Sequence, residues 1–349
     1  MKILVIGGKS YYTHSLIYAL KKLQHDVSFY LINNFTDKVS WIQRKKYFWG
    51  WDNEIFNHFI KKESINIKSH YDQYNPDIVI VFDTYSISDT IIKHMGITSK
   101  VVMWLICTLK EEAFYNKIHG KLNSFDVICT YEEDDTVFLK NNLTTKILFC
   151  PVGFDDRFYK KDAAQQRDID IVFVGVRSNH RLNILEKIAT YVYKNNLTMI
   201  IYGISFEDNA RHFWKRTHEK HKFLVKYPYL SKYIANITNI TPDKVAEVYQ
   251  KSKIVLNINR TDSLALNPRT FEILATNSFE IMDNRDSYCG LVTPGKDLAV
   301  YYDENDIIDK ISYYLEHETE RNAIASNGYN QVHDNFTMVN IVKKMLDKI

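Results

Sequence analysis

Cysteine is scarce in this chain, with four residues among 349. Cys107, Cys129, Cys150 and Cys289 lie far apart and form no CxxC pair. Disulfide frameworks and structural zinc sites need such cysteines at short, regular spacings. The four are therefore predicted to be reduced and mostly buried thiols, and we expect the protein to need no metal ion.

Long apolar runs are also absent. Stretches such as Ile78–Phe82 and Val101–Cys107 are far shorter than the roughly 18 residues that cross a bilayer. The opening MKILVIGGKS has no small-residue cleavage site and is expected to form a first β-strand, not a signal peptide. We expect a cytoplasmic protein without a transmembrane helix.

A third glycine is missing from the loop after this first strand. A dinucleotide-binding loop has the pattern G-x-G-x-x-G, and an acidic residue follows in the second strand. This chain reads GGKSYYTH, without the third glycine, and its second strand, DVSFYLINN, lacks the acidic residue that binds an adenosine ribose. The sequence therefore argues against a dinucleotide-dependent oxidoreductase.

The chain length and the rhythm of its apolar segments predict two α/β domains. A chain of 349 residues exceeds one typical domain, and 45% hydrophobic residues can supply two cores. Short β-branched runs alternate with amphipathic patterns, which is typical of parallel sheets with helices on both faces. The predicted organisation is two tandem Rossmann-like domains, with a domain at 1–154, a polar linker at 155–168, a domain at 169–336, and a C-terminal helix at 337–349 that packs back on the N-terminal domain.

Functional residues are expected in the loops at one edge of each sheet. Ligands of open parallel sheets bind beyond the carboxyl ends of the strands, where the strand order switches. The loops after KILVIG, DIVIVFD and KVVMWLI, and those after DIVFVG and KIVLNIN, should line a cleft between two facing sheets.

The segment NPRTFEILATNSFEIMD carries a charged pair. Pro268 can open a helix at its first position, so that Arg269 and Glu272 lie three residues apart on one face. The N–H groups of a helix N-terminus and a guanidinium suit a phosphate, and a carboxylate can accept hydrogen bonds from a ribose diol. The pair predicts a nucleoside diphosphate site, unless it is an ordinary surface salt bridge.

A second cluster, FVGVRSNHR, follows the strand predicted at 169–174. Gly175 permits close approach of the backbone, and Arg177 and Arg181 lie four residues apart in the loop and first helical turn. Arginine at a helix start opposes the helix dipole, so it indicates a bound anion unless both side chains are merely solvated. This loop is expected to hold a diphosphate from one side while Arg269 holds it from the other.

These segments, together with TNITPDKVAEVYQKSKIVLNIN, resemble the donor domain of the GT-B glycosyltransferases. The resemblance is to the spore-maturation (CgeB-like) type and, more distantly, to the phage DNA β-glucosyltransferases. It covers residues 168–335, whereas only the alternation of strands and helices extends over the first half. It implies a GT-B fold, a C-terminal domain that binds a nucleotide-sugar, with a UDP-sugar as the expected donor, and an N-terminal domain that binds the acceptor.

The resemblance also implies which residues bind the donor. In such enzymes an R-x-x-E turn holds diphosphate and ribose, a glycine-arginine loop contacts the phosphates, and the backbone of a loop like TNITP reads the base. The donor-binding residues implied in this chain are Gly175, Arg177, Arg181, Ile240, Arg269 and Glu272. The widespread E-x7-E motif is only half present, because Leu264 stands where its first glutamate is expected, and a role for Asp262 is left open.

The resemblance does not supply a catalytic base. The phage enzymes have an aspartate just after the strand that corresponds to KVVMWLI, where this chain continues with Cys107, Thr108 and Leu109. An inverting transferase needs a carboxylate or an imidazole to take the proton of the acceptor hydroxyl, whereas a retaining one commonly works without it. His14 and Asp83 are the candidates, unless they are a helix-face residue and a helix cap.

A basic, aromatic stretch extends over residues 205–233, with seven Lys or Arg against three Asp or Glu and seven aromatic residues. Such side chains can hold a polynucleotide, stack on sugar rings or dock an anionic membrane, and they also occur on solvated helix faces. The candidate acceptor-binding residues are Trp49, Trp214, Lys215 and Arg216.

Three functions are compatible with these residues. The first is transfer of a sugar from a UDP-sugar to a surface or spore glycan, a lipid-linked glycan or a protein. The second is phage-type glycosylation of hydroxymethylated bases in duplex DNA, although the net charge of +3 does not by itself indicate a nucleic-acid partner. The third is a non-catalytic binding protein for nucleotide-sugars or glycans. We expect the first, with arginines stabilising the departing diphosphate.

Overall fold

The computed structural model of the protein describes residues 1–33, 40, 54–82, 86–162, 166–205, 213–235, 237, 240–260 and 265–349. The chain divides into two compact units, Met1–Val152 with Met338–Ile349 and Gly153–Thr337. The end of the chain therefore belongs to the same unit as its first half.

Each unit is built around one β-sheet. The strands are β1 (Lys2–Gly8), β2 (Asp26–Ile32), β3 (Ile78–Phe82), β4 (Lys100–Leu105), β5 (Val127–Thr130), β6 (Lys146–Phe149), β7 (Ile169–Val174), β8 (Met199–Tyr202), β9 (Ser252–Asn257), β10 (Glu280–Asp283) and β11 (Ala299–Tyr301). Their order is β2-β1-β3-β4-β5-β6 in the first unit and β11-β10-β9-β7-β8 in the second. Neighbouring strands pair in parallel, which confirms the predicted α/β class with two parallel sheets.

Helices connect the strands in both units. They are α1 (Tyr11–Lys22), α2 (Glu54–Tyr74), α3 (Asp89–Met95), α4 (Glu112–Ile118), α5 (Glu133–Asn142), α6 (Asn179–Lys194), α7 (Phe213–Lys226), α8 (Pro242–Gln250), α9 (Pro268–Ala275), α10 (Asp306–Glu316), α11 (Glu318–His333) and α12 (Met338–Leu346). Short 3-10 turns lie at His119–Ser124 and Leu230–Lys232.

The central strands of the first sheet are covered on both faces, which explains their apolar sequences. Residues Ile3–Ile6 of β1 and Val79–Phe82 of β3 are fully buried, as expected for parallel strands with helices on each side. The helix α12 packs against α1, and Lys100 Nζ donates a hydrogen bond of 2.8 Å to the carbonyl oxygen of Ile349. The C-terminal helix thus completes the core of the first unit.

The second sheet has its own core. Phe173 on β7, Leu256 on β9 and Ile281 on β10 pack with Leu185 and Ile188 of α6, and each of these side chains is at most 1% exposed. The apolar face of α6 therefore holds the helix directly against the strand that precedes it, with the N-terminus of α6 at the carboxyl edge of the sheet.

The segment predicted as a linker begins inside the second unit. The amide of Phe154 donates a hydrogen bond of 3.0 Å to the carbonyl oxygen of Phe336, and Asp155 and Tyr159 are buried. Asp155 accepts a hydrogen bond of 2.9 Å from Nε of Arg157. These buried contacts give the start of the segment a fixed place in the second unit, which a patternless polar sequence did not indicate.

Two glycines allow β7 and β8 to end side by side. The amide of Gly175 donates to the carbonyl oxygen of Tyr202 at 3.0 Å. Gly203 has a φ of +82°, and a Cβ atom placed on it would lie 2.7 Å from the carbonyl oxygen of Gly175. Only glycine fits this backbone conformation without strain.

Replacing Gly203 with alanine is expected to lower the free energy of unfolding by about 2 kcal/mol, because both the positive φ and the contact with Gly175 oppose a side chain. Denaturant unfolding measures the change. Gly120→Ala is the control, since a Cβ atom there meets nothing within 4 Å. Equal stability of the two variants would contradict the close approach of the strands.

Candidate functional site

The carboxyl end of β7 is the point where the strand order of the second sheet switches. β7 pairs with β8 on one side and with β9 on the other, so the loops after β7 and β9 leave the sheet from adjacent positions. Ligands of parallel sheets bind at such points. The loop after β7 contains Gly175 and Arg177, and the loop after β9 contains Ile258 and Arg260.

Arg181 connects these two loops. It lies in the first turn of α6, where the N-cap Ser178 accepts a hydrogen bond from its amide, and it is only 9% exposed. Its Nε donates to the carbonyl oxygen of Ile258 at 2.8 Å, and its Nη1 donates to that of Val176 at 3.0 Å. A solvated arginine makes no such contacts, so that alternative is wrong for Arg181.

A cavity of about 450 Å³ opens at the N-terminus of α6. Arg177 is half-buried in the wall of this cavity. Its guanidinium lies 5.2 Å from the ring centre of Phe223, and its Nη1 donates a hydrogen bond of 3.4 Å to the carbonyl oxygen of Ser205. The cavity is lined by Val176, Arg177, Ser178, Asn179, His180, Arg181 and Arg260. Three guanidinium groups and a helix N-terminus together favour an anion.

The cations around this cavity are close enough to repel one another. Burial lowers the pKa of Arg181, and the nearby charges of Arg269 and Arg260 lower it further, while Asp283 acts in the opposite direction. Holding like charges together in a buried place is unfavourable unless an opposite charge joins them. The arrangement is therefore suited to a ligand with more than one negative charge.

Arg269 reaches the same place from α9. Pro268 occupies the start of this helix, and the side chain of the N-cap Asn267 accepts a hydrogen bond from the amide of Thr270. Arg269 Nη1 donates to the carbonyl oxygen of Val174, the last residue of β7, and to Tyr249 Oη at 3.1 Å. The helix start predicted from Pro268 is confirmed, and the two arginine loops converge on the end of β7.

Glu272 lies one turn further along α9 and is 3% exposed. A side chain so deeply buried excludes the surface salt bridge considered from the sequence. Burial raises the pKa of the Tyr249 hydroxyl. The nearby charge of Arg269 lowers this pKa, and that of Glu272 raises it. Arg269, Glu272 and Tyr249 thus form one cluster at the start of α9, in which Glu272 and Tyr249 are buried and Arg269 is half-buried.

A polar network fixes this helix start to the end of β9. Glu280 Oε1 accepts hydrogen bonds from Asn257 Nδ2 at 2.6 Å and from Thr270 Oγ1 at 3.1 Å. Asn267 Nδ2 donates to Asn257 Oδ1 at 2.9 Å and to Asn259 Oδ1 at 2.5 Å. Interlocked amides and a carboxyl group hold α9 in one orientation, so the position of Arg269 is determined by buried hydrogen bonds.

Burial raises the pKa of Glu280 from 4.5 to about 7. The unfolded chain releases this proton near pH 4.5 while the folded protein retains it, so folding loses about 3 kcal/mol between pH 4.5 and values above 7. In Glu280→Gln this loss should disappear, and the variant should gain stability relative to the wild type as the pH rises. Urea unfolding across this range measures the difference. The exposed Glu316→Gln serves as control and should follow the wild type.

Tyr249, Arg260 and Glu280 were not identified from the sequence. A tyrosine on the apolar face of α8 needs a partner for its hydroxyl, and a glutamate in the apolar run SFEIMD needs one for its carboxyl group. The tyrosine and the glutamate thus indicate that buried hydrogen bonds exist, but the sequence does not identify their partners. Arg260 follows β9 and lies in a loop that was predicted to line the site.

The structure describes two of the remaining candidates, Ile240 and His14. Ile240 is half-buried just before the N-cap of α8. His14 belongs to the first unit, where it is exposed on α1. Asp83, Trp49, Asp262 and Leu264 lie outside the described residues, as do the side chains of Trp214, Lys215 and Arg216 in α7.

The four cysteines are free thiols, with Cys129 and Cys150 buried and Cys107 and Cys289 partly so. In the part of the chain that the structure describes, no three His, Cys, Asp or Glu side chains are grouped to hold a metal ion. Within the same ranges, no helix has the length and apolar character needed to span a membrane.

Comparison with known proteins matches this part of the chain to a glycosyltransferase family. The model of the family described as glycosyl transferase-like matches residues 181–347, a range that includes Arg181, Arg269 and Glu272. The spore protein CgeB of Bacillus subtilis (strain 168) is 22% identical over 259 residues, which cover 70% of this chain and 74% of that protein.

Solved structures share the fold over the whole chain. A sucrose-phosphate synthase from Thermosynechococcus elongatus has a TM-score of 0.70 at 13% identity and covers 100% of this chain and 98% of its own. HepE of Anabaena, solved in complex with UDP and glucose, has a TM-score of 0.64 at 13% identity, with coverage of 100% and 99%. The two parallel sheets are those of the GT-B fold, which confirms the fold that the sequence resemblance implied.

Proposed function

We propose that this chain, which matches a glycosyl transferase-like family over residues 181–347 and has the GT-B fold, transfers a sugar from a UDP-sugar bound at the switch point of the second sheet. The observation that carries this proposal is the cavity lined by Arg177, Arg181 and Arg260 at the N-terminus of α6. A nucleoside diphosphate provides the multiple negative charges that this cavity suits.

The arginines would act mainly on the leaving group. As the bond between the sugar and the diphosphate breaks, negative charge develops on the diphosphate, and guanidinium groups already in place stabilise it. Arg269, fixed by Val174 and Tyr249, would add its charge from the side of α9. We assign the ribose to Glu272 and the base to the backbone near Ile240.

A nucleotide binding assay tests this proposal. UDP at about 100 times its dissociation constant is expected to raise the free energy of unfolding by about 2.7 kcal/mol. Uridine at the same concentration should raise it far less, because it lacks the diphosphate that the arginines bind. Failure of all UDP and GDP compounds to shift the melting temperature would remove the donor site from this chain.

For the acceptor we propose a glycan, free, lipid-linked or on a protein. Glycosylation of duplex DNA would require a surface that follows the phosphate backbone, and binding to it would weaken steeply with added salt. Salt-dependent binding of duplex DNA, measured by fluorescence anisotropy, would favour the nucleic acid over the glycan.

A further inference from the structure

A second cavity lies in the first unit, at the carboxyl ends of β4 and β5. Its volume is about 280 Å³, and it is lined by Leu109, Lys110, Tyr115, Asp134, Asp135 and Phe138. Leu109 and Lys110 come from the loop after β4, and both aspartates come from the first turn of α5, which follows β5. None of these residues belongs to the arginine cavity of the second unit.

Asp135 is the polar centre of this cavity. It is 4% exposed, and its Oδ2 accepts a hydrogen bond of 2.9 Å from the amide of Leu109. The described residues make no hydrogen bond to its other oxygen, Oδ1. A deeply buried carboxylate normally uses both oxygens, so Oδ1 has the capacity to accept a hydrogen bond from a ligand.

Aromatic side chains form the wall of the cavity next to this carboxylate. Tyr115 and Phe138 meet edge to face, with ring centres 6.0 Å apart, and Phe138 is 42% exposed. An exposed aromatic ring beside a carboxylate offers an apolar face on which a ligand can pack next to a hydrogen-bond acceptor. Lys110 Nζ forms an ion pair of 2.8 Å with Asp134. The charge of the exposed carboxylate, that of Asp134, is therefore already balanced by a cation.

We propose that this cavity binds a sugar ring of the acceptor glycan, with Asp135 Oδ1 accepting a hydrogen bond from one of its hydroxyl groups. A sugar ring combines an apolar C–H face, which fits against Tyr115 and Phe138, with hydroxyl donors at its edge, which suit a carboxylate. A mostly apolar pocket with a few placed polar groups is the usual form of a small-ligand site. This inference rests on the proposed function, because it supplies the acceptor side of the same transfer.

The ionisation of Asp135 gives a signature that a purely structural aspartate would not produce. Burial raises its pKa to about 6, with further upward contributions from Glu132 and Asp134 and downward ones from the Leu109 amide and Lys110. Above pH 6 the carboxylate is charged and accepts hydrogen bonds strongly. Sugar binding should therefore weaken about tenfold as the pH falls from 7 to 5.

The experiment measures binding of methyl α- and β-glycosides of glucose, galactose, mannose and N-acetylglucosamine to the full chain by saturation-transfer NMR. At least one glycoside should bind, and Asp135→Asn should weaken it about tenfold and abolish the pH dependence. The asparagine oxygen can still accept from Leu109, so the loop is kept. Phe138→Ala, at a half-exposed position, should weaken binding similarly, whereas Glu133→Gln, which removes an equal charge from the exposed side of the same helical turn, should not.

UDP binding to the same variants separates the two proposals. If UDP raises the melting temperature but no glycoside binds, or if both Asp135→Asn and Phe138→Ala bind like the wild type, the sugar site is wrong and the donor site stands. If UDP also fails to bind to the wild type, the proposed function itself fails.

Discussion

Replacing Arg269 with alanine is expected to lower kcat/KM for the UDP-sugar by about 10²–10³-fold, the usual effect of removing one preorganised group that stabilises developing charge. Its guanidinium is held by Val174 and Tyr249, so no reorganisation is needed when the diphosphate departs. UDP release from the UDP-sugar, measured under steady-state conditions, gives the effect directly. Arg269→Lys should recover only part of the rate, because an ammonium lacks the planar fork of donors with which a guanidinium binds a diphosphate.

Two controls separate chemistry from folding in this experiment. Arg269→Ala leaves the Val174 carbonyl and the buried Tyr249 hydroxyl without this partner, which should lower the free energy of unfolding by about 1–3 kcal/mol. Tyr249→Phe loses the same hydrogen bond but keeps the charge, so its activity should fall far less. Lys187→Ala removes an exposed cation of α6, which is paired with Glu304, and this variant should be fully active. Equal activity of Arg269→Ala and Lys187→Ala would remove Arg269 from the mechanism.

The fold was largely predictable because local signals and long-range packing agree. The five residues of β3 are all apolar and buried, and a short β-branched run of this kind is typical of a central strand of a parallel sheet. The start of α9 was predictable for the same reason, since Pro268 provides the backbone angle and Asn267 the cap. Elements of this kind depend on neighbours within four residues, which a single sequence displays.

The site was only partly predictable because its contacts join residues far apart in the chain. Arg181 and Arg269 were both expected to face a ligand, yet each also donates to carbonyl groups at the ends of β7 and β9. Tyr249 precedes Arg269 by 20 positions and meets it only through the packing of α8 on α9. Asp135 lies on α5, beyond α4 and β5, and accepts a hydrogen bond from Leu109 in the loop after β4. No local pattern encodes such partners.

The catalytic base stays a prediction for a different reason. His14 is exposed on α1, and the described residues make no hydrogen bond or ion pair with its ring. Asp83 lies outside the described residues. A general base acts within hydrogen-bond reach of the proton that it takes, so its assignment depends on the position of the acceptor hydroxyl, which neither the sequence nor the fold specifies.

Arg181→Met is expected to reduce the affinity for UDP about 100-fold, because it removes a buried guanidinium that can form charge-assisted hydrogen bonds with the diphosphate. At the UDP concentration that stabilises the wild type by about 2.7 kcal/mol, a 100-fold weaker variant gains only about 0.4 kcal/mol. Thermal unfolding with and without UDP, supported by isothermal titration, measures this loss.

The stability of the ligand-free Arg181→Met protein then distinguishes a binding role from a structural one. The variant loses the hydrogen bonds to Ile258 and Val176, but it also relieves the repulsion among Arg181, Arg269 and Arg260. These effects oppose each other, so the free protein should lose much less stability than the UDP complex. A purely structural arginine would give the reverse pattern, with a large loss in the free protein and an unchanged gain on adding UDP.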